Sequence, residues 1–64
     1  MIRVNGKDDA FFNESVEALL SRLGIEPRGI AVALDGEVVR RSAWLDTVVA
    51  DGSSVEIVTA AAGG

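Results

Sequence analysis

Three residue pairs, Asn5-Gly6, Asp35-Gly36 and Asp51-Gly52, cut this chain into segments that suit strands, with one exception. Asn-Gly and Asp-Gly favour two-residue hairpins, because both central positions of such a turn take positive φ. Asn5-Gly6 follows Ile2-Arg3-Val4, whose alternation reads as a strand, so a returning strand is expected over Lys7 to Phe12. Lys7-Asp8-Asp9 forms strands poorly, and Ala10-Phe11-Phe12 carries the expectation. Asp35-Gly36 joins a strand over Gly29 to Leu34 to its partner over Glu37 to Arg40. Asp51-Gly52 turns the chain into a last strand, Val55 to Thr59.

The exception is a helix over about residues 14–23. Val16, Leu19, Leu20 and Leu23 stand at i, i+3, i+4 and i+7, one apolar stripe. Asn13 or Ser15 can cap its start, and Glu14 and Glu17 suit the positive end of its dipole. Gly24 supplies a left-handed residue at the end, Ile25 is placed to pack back on Leu20, and Pro27 prevents a restart. Ser42 could cap a further short turn carrying Trp44, Leu45, Val48 and Val49.

The order is therefore β-β-α-β-β-β, an α+β domain in which one helix covers one face of a mixed sheet. A hairpin, a helical crossover, a second hairpin and a returning strand describe a β-grasp, with the first and last strands parallel at the sheet centre. Residues 1–59 form this single domain, and residues 60–64 project from it as a flexible tail. Alternation turns Ile2, Val4, Ile30, Val32, Leu34, Val55 and Ile57 towards the helix. A two-residue turn at Asp35-Gly36 pairs Leu34 with Glu37, Ala33 with Val38 and Val32 with Val39. Val39 then faces in, whereas Ala31, Ala33, Val38 and Val58 face out, on a side that is normally polar. Isolated surface alanines and valines are common; a cluster beside the strand that leads into the tail reads as a candidate docking face.

Several chemistries are excluded by what is missing. The chain has no cysteine and no histidine, hence no disulfide, thiol nucleophile, zinc site or imidazole base. Its net charge of −4 argues against nucleic acid as a partner. No apolar run approaches bilayer length and no signal peptide is visible, so a cytoplasmic protein without a membrane partner is expected. Asp8 and Asp9 are adjacent and should point to opposite faces, which makes a solvated hairpin a better reading than a cation site. Phe11 and Phe12 should likewise split, one inward and one exposed or under a loop. Trp44 reads as a core anchor whose indole N–H reaches a local carbonyl. Arg40 and Arg41 read as a solvated strand end that could meet an acidic partner groove.

What remains is the main-chain carboxylate of Gly64. Ala61, Ala62 and Gly63 lead to it with little side chain, and the glycines let backbone pass through a narrow channel. A carboxylate is an unreactive acyl donor until a partner converts it, with ATP, to an acyl adenylate that sulfur or amine nucleophiles attack. A Gly-Gly end is thus a handle for another enzyme's active site, and the chain itself is expected to be no enzyme, with neither cofactor nor metal of its own.

Gly29-Ile-Ala-Val-Ala-Leu-Asp-Gly-Glu-Val-Val39, Arg41-Ser-Ala-Trp44, Asp51-Gly52, Val55-Glu-Ile-Val-Thr59 and Gly63-Gly64 resemble the ThiS sulfur carriers of bacterial thiamine synthesis, over essentially the whole chain. Ubiquitin shares the fold and tail but little else. The resemblance implies that an E1-like adenylyltransferase of ThiF type spends ATP, with Mg, on the Gly64 carboxylate. It implies that sulfur from a cysteine desulfurase replaces the adenylate as a thiocarboxylate, and that a ThiG-type thiazole synthase receives it. Family members often carry asparagine where Asp35 stands, and proline where Arg40 stands before Arg41. The same handle would also serve a sulfur carrier for molybdopterin or another sulfur-containing metabolite, or a ubiquitin-like modifier of lysines. A β-grasp interaction module with an idle tail is the reading furthest from these.

Overall fold

The computed structural model describes residues 1–59; Ala60 to Gly64 lie outside the described residues. Its elements are β1 (Ile2–Val4), β2 (Lys7–Asp9), α1 (Val16–Arg22), β3 (Ile30–Leu34), β4 (Glu37–Val39) and β5 (Ser54–Thr59), with a 3₁₀ turn over Arg41–Ala43. The sheet order is β2-β1-β5-β3-β4, with β1 and β5 parallel and the remaining pairs antiparallel. This is the expected ubiquitin-like β-grasp, and the register at the second hairpin is the expected one: Leu34 opposite Glu37, Ala33 opposite Val38, Val32 opposite Val39. Positive φ at Asn5 and Gly6, and again at Asp35 and Gly36, makes both hairpin turns the type that matches strand twist.

Helix α1 is shorter than the periodicity suggests. Ser15 is the N-cap, its hydroxyl accepting the Ala18 N–H at 3.1 Å, so Glu14 falls outside the first turn. The next two orphan donors go to the segment that follows the 3₁₀ turn: Val16 N–H to the Thr47 carbonyl at 2.8 Å and Glu17 N–H to the Trp44 carbonyl at 3.2 Å. At the other end Ile25 N–H reaches the Leu20 carbonyl and Gly24 N–H the Ser21 carbonyl, the paired bonds of a Schellman stop, with φ +70° at Gly24. A seven-residue helix has little stability alone. It is held by burying Val16, Leu19 and Leu20 against Ile2, Val32 and Val55 of the sheet and against Trp44 and Val49. Losing a side chain such as Leu19 from this core would cost about 2–5 kcal/mol.

Three expectations need correction. Strand β2 stops at Asp9 because the Asp9 carboxylate accepts the Ala10 N–H at 2.7 Å and turns the chain off the ladder. Ala10 to Phe12 therefore lies beyond the strand, and both phenylalanines are exposed instead of splitting inward and outward. Phe12 is covered from above by the Arg22 guanidinium, 4.4 Å from its ring centroid. Second, Ser42 caps nothing: the 3₁₀ turn starts from Arg40 without a side-chain cap, and while Trp44 and Val49 are buried, Leu45 and Val48 are exposed. Trp44 is the expected anchor, its indole N–H donating to the Val39 carbonyl at 2.9 Å. Third, Glu14 serves Arg22, not the helix dipole, accepting from it at 2.8 and 3.0 Å. That hydrogen bond above all, opposed by desolvation and joined by one from Asp9, raises the Arg22 pKa. The two aspartates do part as expected, Asp8 to Arg3 at 3.7 Å and Asp9 to Arg22 at 3.3 Å.

Asn5 and Asp35 do more than turn the chain. Beyond the last β1–β5 backbone pair, the Asn5 side chain donates to the Ile57 carbonyl at 3.1 Å and accepts the Ile57 N–H at 2.7 Å, standing in for one more residue of parallel ladder. Asp35 accepts the Ser54 N–H on its carboxylate at 2.8 Å, while its own N–H goes to the Ser54 carbonyl. The two hairpin turns thus strap the central strand β5 from both sides.

Asn5→Ala removes that strap and places an alanine at positive φ, so it should destabilise the fold by about 2 kcal/mol in urea unfolding followed by Trp44 fluorescence. Asn5→Asp, which keeps the acceptor for Ile57 N–H, should lose less; an alanine variant within about 0.5 kcal/mol of the parent would deny the strap its weight. Arg40 sits at φ −62° and ψ 144°, angles that a proline ring adopts unstrained. Arg40→Pro should therefore raise stability by about 0.4–1 kcal/mol, and a loss would show that the Arg40 N–H is needed.

Candidate functional site

The residues singled out from the sequence fall into two groups. Ala61, Ala62, Gly63 and Gly64 lie outside the described residues, and the structure leads up to them as far as Thr59. Ala31, Ala33, Val38 and Val58 come together on the sheet face opposite α1. There, Ala33 is flanked by Val38 on β4 and Glu56 on β5, and Ala31 by Val58.

Side-chain size shapes this face. The two alanines of β3 form a low floor, and the valines beside them form the walls, 76% exposed at Val38 and 58% at Val58. The same residues, with Val32 and Glu56, line a shallow apolar depression. Same-face neighbours on adjacent strands stand about 5 Å apart, so the trough is about 10 Å across. Its long axis follows β5, running from Glu56 past Val58 towards Thr59, where Ile30 is the last partner across the ladder. The described residues thus end on a strand held from both sides, at the rim of an apolar trough.

Asn5 and Asp35, which hold β5 in place, were not visible as such in the sequence. Their residue types announce turns, and only the adjacency of β5 to both hairpins turns their side chains into straps. Once the parallel pairing of first and last strands is granted, Val4 stands opposite Val55, and the next residue, Asn5, is brought within reach of Ile57. Arg22 likewise reads as an ordinary helix cation, yet it joins Asp9, Glu14 and Phe12 at one corner.

Among the described residues no group of three or more His, Cys, Asp or Glu side chains could hold a metal ion. Nor is any helix among them long and apolar enough to cross a membrane. What the described residues offer is mechanical: a fixed last strand and an apolar surface beside its end.

A mixed sheet with central parallel β1 and β5, crossed by one helix, defines the class as ubiquitin-like β-grasp. The family profile described as the ThiS family matches residues 2–64, and this chain belongs to that family. A crystal structure of a thiamine biosynthesis protein, ThiS, from Geobacter metallireducens superposes with a TM-score of 0.83 at 37% identity, over 98% of this chain and 97% of the other. An NMR structure of a thiamine biosynthesis protein from the same organism gives 0.73 at 38% identity, over 89% and 78%. A curated relative from Paramagnetospirillum magneticum, named thiazole synthase, is 39% identical over 62 residues, which is 95% of this chain and 19% of that protein. The chain therefore spans about one-fifth of the length of that relative.

Proposed function

We propose that this chain is a sulfur carrier for thiamine biosynthesis, working through the carboxylate of Gly64. The observation that carries the reading is the ThiS family match, which runs through the Gly63-Gly64 end. Membership of that family supports the carrier role, and the thiamine biosynthesis proteins that share the fold support the pathway.

In the proposed cycle a ThiF-type E1-like enzyme binds ATP and Mg, and an oxygen of the Gly64 carboxylate attacks the α-phosphorus. Pyrophosphate leaves, and the acyl carbon now carries AMP as a good leaving group. Hydrosulfide attacks that carbon, loses its proton and expels AMP, leaving a thiocarboxylate. Sulfur delivered by a cysteine desulfurase arrives as a persulfide, and a thiol reductant supplies the two electrons that bring it to the sulfide level. A thiazole synthase of ThiG type then takes the sulfur. No side chain of this domain takes part, in keeping with a chain that has neither cysteine nor histidine. The domain's part is presentation: β5 fixes where the tail starts, and the trough of Ala31, Ala33, Val38 and Val58 is the surface proposed to seat the partners. The match to one-fifth of a protein named thiazole synthase supports that enzyme as the recipient, since a domain like this one is part of the same polypeptide there.

The test is intact mass. Incubated with ATP, Mg, sulfide and a ThiF-type enzyme known to act on another ThiS-family protein, the chain should exchange one carboxylate oxygen for sulfur. Deleting Gly64 should abolish the exchange with unchanged unfolding. Val38→Lys should raise the carrier's KM while costing less than about 1 kcal/mol of stability. An unchanged mass with the competent enzyme would contradict the reading, and an unaltered KM in the lysine variant would remove the trough from it.

A further inference from the structure

Six cations stand against ten acids in this chain, and they are not spread evenly. Arg3 pairs with Asp8, and Arg22 with Glu14 and Asp9, so both are spent within the fold. Lys7, Arg28, Arg40 and Arg41 form no ion pair among the described residues, and the topology gathers the three arginines at one end of the sheet. Thr59, the last residue of β5, is paired with Ile30, and Arg28 lies two residues before Ile30. On the far side of β3, Val39 is paired with Val32, which brings Arg40 level with Ala31 and Val58. Adjacent strands are about 4.8 Å apart, so the backbones of Thr59, Ile30 and the Arg40 segment lie within about 10 Å across the sheet. Arg41 is held over the Trp44 ring, 5.8 Å from its centroid, at the same end.

We infer that Arg28, Arg40 and Arg41 form a basic collar around the point where the chain leaves the domain, and that it docks on carboxylates at the mouth of the channel that takes the tail. This rests on the proposed carrier function and names the chemistry of the partner's rim. A tail extended in a partner's channel would put the phosphates of ATP out of range. Five extended residues span at most about 18 Å, so a straight tail carries the Gly64 carbon beyond the reach of an arginine beside Thr59. Charge selects protein over nucleic acid: the chain is −4 overall, so a polyanion would be repelled by every other surface. A carboxylate rim would be attracted locally, and the collar would orient the encounter so that the tail arrives first.

The experiment uses Arg28→Glu/Arg40→Glu, which spares Arg41 and its contact with Trp44, beside the charge-preserving Arg28→Lys/Arg40→Lys. Initial rates of ATP-dependent thiocarboxylate formation are measured against carrier concentration with the ThiF-type enzyme, after thermal unfolding has shown both variants folded. The glutamate pair should lower kcat/KM for the carrier about tenfold to a hundredfold at low ionic strength, with kcat within about twofold of the parent. The gap should close at about 0.5 M salt, where screening shortens the reach of charge to a few ångströms. The lysine pair should stay near the parent. An unchanged kcat/KM at low salt, a loss that salt does not reduce, or parent binding to duplex RNA that the glutamate pair abolishes would each overturn the inference. If the parent itself is not converted, the carrier function fails and this inference with it; conversion with an indifferent glutamate pair removes the inference alone.

Discussion

Strand β5 is the constraint on which the rest of the molecule depends. Among the described residues it alone is joined to both hairpins, parallel to β1 and antiparallel to β3, and it is the last described element. Local contacts cannot place it, because its partners lie 21–29 residues earlier in β3 and 51 earlier in β1. The fold meets that demand with side chains as well as ladders. Asn5 clasps Ile57 through both halves of its amide, and Asp35 accepts from Ser54. Each of these residues is already committed to a hairpin turn by its positive φ. Each turn therefore also positions a grip, and the central strand lies between the two hairpins.

The helix depends on the same return of the chain. Its first N–H groups are satisfied by Thr47 and Trp44 carbonyls and by the Ser15 hydroxyl, so it is complete only when the segment before β5 lies across its N-terminus. Val49, buried in the same segment, and Trp44 close the core at that end. With the large apolar side chains of sheet and helix turned to one side, the apolar residues left on the opposite face are alanines and valines, beside Glu56. A domain of this size has few apolar residues to spare. Leaving some of them exposed along the exit of β5 is therefore a feature that the fold itself does not require.

How much of this was legible follows from the range of the forces involved. Local chemistry was readable: the Asn-Gly and Asp-Gly turns, the Gly24 stop and the apolar stripe of α1 lie where their residues put them. The register at Asp35-Gly36 follows from the turn length, so the outward direction of Ala31, Ala33, Val38 and Val58 was readable too. What was not readable arose between distant segments, with one local exception. Asp9 ends β2 by capturing Ala10 N–H, a competition that propensity does not weigh, and Phe12 then finds Arg22, not the core. The straps at Asn5 and Asp35 and the arginine collar are properties of the assembled sheet. As for the tail, its chemistry was inferred from what the side chains lack, and it lies outside the described residues.

In the function proposed above, these elements serve as a small holder whose reactive atom is not a side chain. In the proposed reading the domain supplies a fixed starting point for the tail, an apolar trough and a positively charged end, and partner enzymes supply the catalysis. The central claim is that sulfur travels on the Gly64 carbon to the thiazole. A single turnover of the thiocarboxylate form, isotopically labelled at sulfur, with a thiazole synthase and its other substrates tests it most directly. The label should appear in the thiazole product while the carrier returns to its carboxylate mass. Label retained on the carrier, or the carrier joined to a lysine with the sulfur released, would contradict it.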